Sequence, residues 1–271
     1  MLTSADKRAA FRKLHESGCF IIPNPHDVGS ARALQHLGFK ALASTSAGFA
    51  WAIAKADNHV TVDEVCDHLT AICAAVDVPV NADFEGGFAV EPEKVGVNVA
   101  RGVKTGVAGL SIEDSTVEAK KSLYDFALAV ERIKAARKAI DADNSGVLLT
   151  GRCEAYLVGQ PDLALVIERL TAYAAAGADC LYAPGIKTKE DIAAVVKAVH
   201  PKPVNLLIGA SGLSLSEAGD LGVRRISVGG SLARTAWGGF MKAAREMAEQ
   251  GTFTELANGY PGGELNKMFS G

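Results

Sequence analysis

The sequence predicts an α/β protein of the (β/α)8 TIM-type barrel class. Three observations carry that prediction. Eight short apolar runs alternate with longer stretches of helical periodicity. Most of those runs are continuously apolar rather than alternating, as expected of parallel strands buried on both faces. No Pro- or Ser-rich linker divides the 271 residues, a length that suits one barrel of ~250 residues. The whole chain, 1–271, is therefore expected to be a single barrel domain. It carries an extra N-terminal helix at about 4–17 and a C-terminal tail at about 251–271. A doubly wound open sheet is the alternative. It would want a G-x-G-x-x-G turn after the first strand, and none is present.

The elements follow in order. Residues 5–16 form the added helix. The first strand, 20–23, precedes a helix at 27–37. The second, 41–45, leads through a Ser46-Ala47-Gly48 turn and a loop to a helix at 62–76. The third, 78–83, precedes a helix at 92–105. After the fourth, 109–113, comes a helix at 125–140. Phe126, Ala129, Val130, Ile133 and Ala136 mark one face of it, and Glu131, Arg132, Lys134 and Lys138 the other. The fifth strand, 147–152, pairs with a helix at 161–176, and the sixth, 180–183, with one at 189–199. The seventh, 204–207, precedes a helix at 215–221. The eighth, 226–228, precedes the long helix 231–249. Gly106, Gly177 and Gly222 each stand between a helix and an apolar strand, as αβ turns require. In the tail, 253–269, the segment 259–263 reads as a loop with a short helix on either side.

Composition narrows the function classes. Apolar residues make up 48% and charged residues 22%, with a net charge of −3. These are ordinary soluble values, and no Lys/Arg cluster suggests nucleic acid. No apolar run reaches the ~18 residues of a membrane span, and residues 1–14 lack the apolar core of a signal peptide. The five cysteines are an odd number without C-x-x-C spacing. They read as reduced, buried thiols of a cytoplasmic protein.

In a barrel of this class the site lies at the C-terminal ends of the strands. Asp57, Asp83, Glu85, Glu113, Asp114 and Glu154 would converge there. Uncompensated, they would repel one another. A hard divalent cation resolves this, and oxygen-only donors favour Mg2+ or Mn2+. Any one of them could instead be a helix cap or a surface charge, a reading that applies best to Asp114 and Glu154. Asp83 and Glu85 are different, because they end an apolar strand. Gly86 and Gly87, which follow, would let the backbone approach a ligand closely. Arg152 could neutralise a structural acid or hold a substrate carboxylate. Ser46-Ala47-Gly48 could be a plain turn or present amides to an anion. Val228-Gly229-Gly230-Ser231 could bind phosphate, but a tight strand-to-helix turn explains its glycines as well. His26 and His59 lie in loops at the rim.

Taken together, these phrases resemble the isocitrate lyase/phosphoenolpyruvate mutase superfamily over roughly residues 20–247. The marks are Ile22-Pro-Asn-Pro-His-Asp27 with Ser30-Ala31, Thr45-Ser-Ala-Gly48, Asp57 with Val60-Thr61 and Glu64, and Asn81-Ala-Asp-Phe-Glu-Gly-Gly87. Further on come Ile112-Glu-Asp-Ser115, Gly151-Arg-Cys-Glu154, Ala183-Pro-Gly185 and Pro203-Val-Asn205. The resemblance implies a barrel whose last helix is exchanged between subunits of a homodimer or homotetramer. It also implies Mg2+ and a 2-oxo acid or its enolate. By position, Asp83 matches the direct metal ligand. Asp57, Glu85 and Glu113 match residues holding the metal largely through water. Ser46, Ala47 and Gly48 match the turn that binds the substrate carboxylate. Arg152 and Asn205 match substrate-side residues, and Arg152, Glu113 and Asp57 are the catalytic candidates.

There are departures. The acidic motif D-x-D-T-G-Y-G reads here Asp83-Phe-Glu-Gly-Gly-Phe-Ala89. The K-K-C-G-H loop of isocitrate and methylisocitrate lyases is absent, with Glu118-Ala-Lys-Lys-Ser-Leu-Tyr124 near its place. Lys120 and Lys121 need not correspond to the motif lysines. The pattern suits the lyase/mutase-like branch. The expected activity is Mg2+-dependent C–C cleavage of a small 2-hydroxy or 2-oxo dicarboxylate through a pyruvate-type enolate. Methylisocitrate-, dimethylmalate- and oxaloacetate-like substrates fit this. Alternatives are P–C chemistry on a phosphonopyruvate-like substrate and a 2-oxo-acid-binding protein with little turnover. Tyr124, Tyr156 and His59 are candidate proton donors.

Overall fold

The computed structural model describes residues 2–116, 122–209 and 212–270. Lys120, Lys121 and most of the loop around them therefore lie outside the described residues. Among the described residues, eight parallel strands form one sheet. They are β1 (Phe20–Ile21), β2 (Leu42–Ala43), β3 (Val80–Asp83), β4 (Gly109–Glu113), β5 (Leu148–Arg152), β6 (Cys180–Tyr182), β7 (Val204–Leu207) and β8 (Arg225–Ser227). Their order, β1-β8-β7-β6-β5-β4-β3-β2, follows the chain around a ring. The β1–β2 seam is bridged just beyond β1, where the Ala43 N–H donates to the Pro23 carbonyl at 3.0 Å. Asn24 Nδ2 reinforces the seam by donating to the Ser44 carbonyl at 2.9 Å. This is the (β/α)8 arrangement, and it excludes the doubly wound alternative.

Helices separate the strands: α1 (Ser4–Leu14), α2 (Val28–His36), α3 (Ser46–Ala52), α4 (Val62–Ala75), α5 (Pro92–Lys104) and α6 (Phe126–Ala142). Then come α7 (Leu163–Ala175), α8 (Lys189–Val199), α9 (Leu215–Asp220), α10 (Ser231–Gln250) and α11 (Gly262–Phe269). Most starts are written in the sequence as caps. Thr3, Asp27, Thr61 and Ser214 each make a capping box, the reciprocal pairing that satisfies two otherwise unpaired amides. Helix α1 covers the N-terminal end of the barrel. Its Phe11 is fully buried among Ala41, Ala108 and Leu148 at the starts of β2, β4 and β5. A buried phenylalanine of this kind stabilises by about 1.5–3 kcal/mol.

Two expectations change here. The Ser46-Ala47-Gly48 turn is the first turn of helix α3, capped by Thr45, whose hydroxyl accepts from the Gly48 N–H at 3.3 Å. Arg132, expected on the solvent face of its helix, is 1% exposed. Its guanidinium donates to the carbonyls of Gly86, Ala89 and Val90, and its charge lies 4.1 Å over the Tyr124 ring. The long side chain runs back toward the loop after β3, so a polar face drawn from residue type alone misplaces it.

Helix α10 stands apart from the barrel. Among its residues only Ala233 and Glu246 are buried. Trp237, Phe240 and Met241 are 40%, 62% and 39% exposed, and they continue into exposed Phe253, Leu256 and Tyr260.

Candidate active site

A cavity of about 180 Å3 opens at the C-terminal ends of the strands. Parallel strands deliver polar side chains to it. Asp83 ends β3, Arg152 ends β5, Tyr182 ends β6, and Asp57 comes from the loop after α3. Ser46 and Ala47 contribute the start of α3, and Asn205 lies deeper on β7.

Arg152 organises the charges. Its Nη1 lies 3.3 Å from Asp83 Oδ1 and 3.2 Å from Glu113 Oε2. Its Nε donates to Glu154 Oε1 at 2.5 Å. Its face lies 5.1 Å from the Tyr182 ring centre. Burial works against the charge, but Glu154, Glu113, Tyr182 and Asp83 together hold the guanidinium pKa well above its usual value. Burial pushes the Tyr182 phenol up to about 12, against the pull of Arg152. Tyr182 therefore carries its proton at neutral pH.

Asp83 is held from both sides. Its amide donates to Ser44 Oγ at 2.8 Å, and its Oδ2 accepts from the Ser46 N–H at 2.9 Å. Of the three amides matched to a substrate carboxylate, Ser46's thus serves Asp83 and Gly48's serves Thr45. Glu113 and Glu85 are not among the residues of the cavity wall. Glu113 reaches it through Arg152, accepts from Ser115 Oγ at 3.1 Å, and its amide donates to the Glu85 carbonyl at 3.0 Å. Glu85 itself takes a positive φ of 46°.

The donor chemistry fits a hard divalent ion. Asp57 and Asp83 face one cavity, and only oxygen carboxylates are offered. Among the described residues no three His, Cys, Asp or Glu side chains close into a cage. Mg2+ does not require one, because it commonly keeps several waters and binds through one or two carboxylates.

Other expectations resolve differently. Gly86 and Gly87 give room to protein, not to a ligand. A Cβ at Gly86 would meet Arg132 at 3.0 Å, and one at Gly87 would meet Val95 at 2.9 Å. Asp114 is neither a cap nor a surface charge. It is 3% exposed and accepts from the Glu154 N–H (2.8 Å), the Tyr173 hydroxyl (2.6 Å) and Arg169 Nη1 (3.2 Å). Glu154 is likewise buried, bound to Arg152. In the Gly229-Gly230 turn, the Val228 and Gly229 amides donate to Asn24 Oδ1 at 2.8 and 2.9 Å. That favours the tight-turn reading over phosphate. His26, His59, Tyr124 and Tyr156 are not among the residues of the cavity wall. Cys153 points away from the cavity into the core, as strand alternation demands.

The residue least visible beforehand is Arg225. It begins β8 and is 3% exposed. Its guanidinium lies on the cavity floor, with Nε 2.8 Å from Asn205 Oδ1 and Nη2 2.9 Å from Thr150 Oγ1. Asn205 also donates to Ser227 Oγ at 3.0 Å, so its amide is engaged within the barrel.

A ring of parallel strands with acids, arginines and a phenol around a cavity at its C-terminal mouth has the site layout of (β/α)8 enzymes. The comparisons agree. The family described as phosphoenolpyruvate phosphomutase matches residues 11–248, and the chain belongs to it. A protein of Burkholderia cenocepacia J2315, provisionally assigned as a lyase/mutase, shares 47% identity and superposes with a TM-score of 0.95. The match covers 99% of this chain and 98% of that one. Oxaloacetate acetylhydrolase, solved with its product oxalate, is 26% identical with a TM-score of 0.86, over 98% and 93% of the two chains. The oxaloacetate decarboxylase of Rhodopseudomonas palustris is 29% identical over 235 residues, 82% of this chain and 77% of that protein. The chain is thus an enzyme of the carbon–carbon lyase and mutase kind.

Proposed function

We propose that this enzyme is a Mg2+-dependent lyase that cleaves a C–C bond in a small 2-hydroxy or 2-oxo dicarboxylate through an enolate, that of pyruvate when a 2-oxo acid loses CO2 and that of the departing carboxylate when a 2-hydroxy acid is cleaved to a 2-oxo acid. The observation that carries this reading is the shared cavity of Asp57, Asp83, Arg152 and Tyr182. Asp83 would hold the ion directly, with Asp57, Glu85 and Glu113 supporting it through water. When bound, the ion supplies Lewis-acid polarisation of the substrate's carboxylate and 2-oxygen.

The chain's own residues do the rest. Arg152 is fixed by three carboxylates, so its charge is already oriented where negative charge develops on the enolate. Such preorganisation lowers the barrier without reorganisation during reaction. Tyr182 holds a proton at the cavity wall and is placed to return it to the enolate carbon. Arg225 adds positive charge from below and favours an anionic ligand. The exposed apolar face of α10 supports its exchange between subunits of a homo-oligomer. The large exposed patch it leaves is otherwise uncommon on a monomer.

The test is direct. The purified protein with Mg2+ is offered oxaloacetate, methylisocitrate, isocitrate, dimethylmalate and phosphonopyruvate. Pyruvate or glyoxylate release that stops with chelator supports the reading. Phosphate release from phosphonopyruvate, without C–C cleavage of any other compound, refutes it.

A further inference from the structure

The floor of the polar cavity carries a cation with a different set of partners from the arginine at its mouth. Arg225 is 3% exposed and borders the cavity. Its guanidinium bonds Asn205 Oδ1 at 2.8 Å, Thr150 Oγ1 at 2.9 Å, His15 Nε2 at 3.3 Å and Asn81 Oδ1 at 3.4 Å. All four partners are uncharged at neutral pH, His15 because its pKa is lowered to about 3. Among the described residues Arg225 pairs with no carboxylate, whereas Arg152 has three and Arg169 has one. A guanidinium keeps its charge when buried, and a buried charge is ordinarily paired. Arg132 is likewise held by neutral groups, three carbonyls and the Tyr124 ring, but it is not on the cavity wall.

The barrel interior is built to keep the Arg225 charge in place. Barrel layers are ordinarily filled by Val, Ile and Leu. Here Asn81, Asn205 and Ser227 line the cavity beside Arg225, and each is buried. Gly109 on β4 makes room for this, since a Cβ there would lie 2.6 Å from Asn81 Oδ1. The three side-chain oxygens on the guanidinium come from β3, β5 and β7, so it cannot swing toward the rim without losing them. Asp83 stands two residues beyond Asn81 on β3, about 6–7 Å along the strand. A ligand gripped at Asp83 therefore sits above the floor. The cavity of about 180 Å3 has room for both, since a water fills about 30 Å3.

We infer that the cavity floor is a separate site for a small monoanion of halide or formate size, held by the Arg225 guanidinium below the place of the metal-bound ligand. The ion brings the negative charge that the four neutral partners do not supply. The site stands without the lyase reading. Only its position beneath a bound substrate rests on that reading.

The experiment uses the intact protein and bromide as the probe. In chelator, at constant ionic strength balanced with gluconate, Tm should rise by about 3–6 °C for each tenfold increase in bromide above its Kd. Arg225→Met should remove that dependence. An equal rise in the variant, or none in the wild type, overturns the site. Where the variant does not fold, wild-type crystals grown in bromide decide, because anomalous diffraction should place the ion against Arg225. Its absence there overturns the site. A second crystal, with bromide, Mg2+ and oxalate together, separates a free ion from a substrate carboxylate. Bromide kept at Arg225 with oxalate above it supports the inference, and oxalate oxygens on Arg225 in place of bromide overturn it. Bromide at Arg225 with neither Mg2+ nor oxalate bound supports the ion site and counts against the lyase reading alone.

Discussion

Replacing Arg152 with glutamine is the most informative single change. The substitution keeps N–H donors on a shorter, neutral side chain and removes the charge. In the wild type that charge faces Asp83, Glu113 and Glu154 at 3.3, 3.2 and 2.5 Å. At an effective dielectric constant near 20, each contact is worth about 5–7 kcal/mol of gross attraction. Desolvation and repulsion among the carboxylates offset most of that sum. Breaking a buried pair nets about 3–5 kcal/mol. At roughly 2–4 °C per kcal/mol for a chain of this size, Tm should fall by about 6–20 °C. The second half of the prediction concerns the metal. Glutamine leaves three carboxylates together without a counter-charge, so Mg2+ should stabilise Arg152→Gln more than the wild type. A ligand at a hundred times its Kd adds about 2.7 kcal/mol, which recovers much of the loss. The assay is thermal unfolding followed by circular dichroism, in chelator and in saturating Mg2+. A variant that melts within ~2 °C of wild type in chelator would refute the charge argument. An equal Mg2+ effect on both proteins would refute the shared role of these acids.

Four further outcomes are expected. Asp83→Ala should abolish Mg2+-dependent oxalate binding while the circular dichroism spectrum stays native, as calorimetry and spectroscopy will show. Arg132→Met removes the donor to three carbonyls and should cost about 3 kcal/mol, read as a lower urea midpoint with an unchanged m-value. His15 donates through Nδ1 to Phe11 O at 2.8 Å and faces Arg225 through Nε2 at 3.3 Å. Burial and Arg225 lower its pKa to about 3. The unfolded chain therefore binds a proton first, and stability falls as pH drops from about 6.5 toward 3, by up to ~1.4 kcal/mol per pH unit. The stability difference between wild type and His15→Gln should shrink over that window in urea titrations. Trp237→Glu, on the exposed face of α10, should yield monomers where light scattering finds a wild-type oligomer.

The barrel was legible in the sequence because buried parallel strands are continuously apolar and their helices begin on Thr, Asp and Ser caps. All eight strands appear where those runs stand, though β1 and β2 shrink to two residues each beside the bridged seam. Asp83 and Arg152 were legible for the same reason: each ends an apolar run at the rim. What escaped reading follows from reach and context. Helix α3 was hidden because Ser-Ala-Gly-Phe-Ala-Trp-Ala carries no charged face to set a period. Arg132 and Arg225 were hidden because a long side chain can leave its own element and end far from its Cα. The role of Asp114 depends on Tyr173, 59 residues away, and no local pattern records such a partner.

Helix α3 has one more consequence. Its first amide grips Asp83, and its penultimate residue, Trp51, lines a neighbouring cavity of about 610 Å3. Seven residues at 1.5 Å each make a strut of roughly 10 Å, too short to bend. The Asp83 carboxylate and the Trp51 indole are thus set at the two ends of one short element. A substitution that shifts α3 should therefore disturb both contacts together.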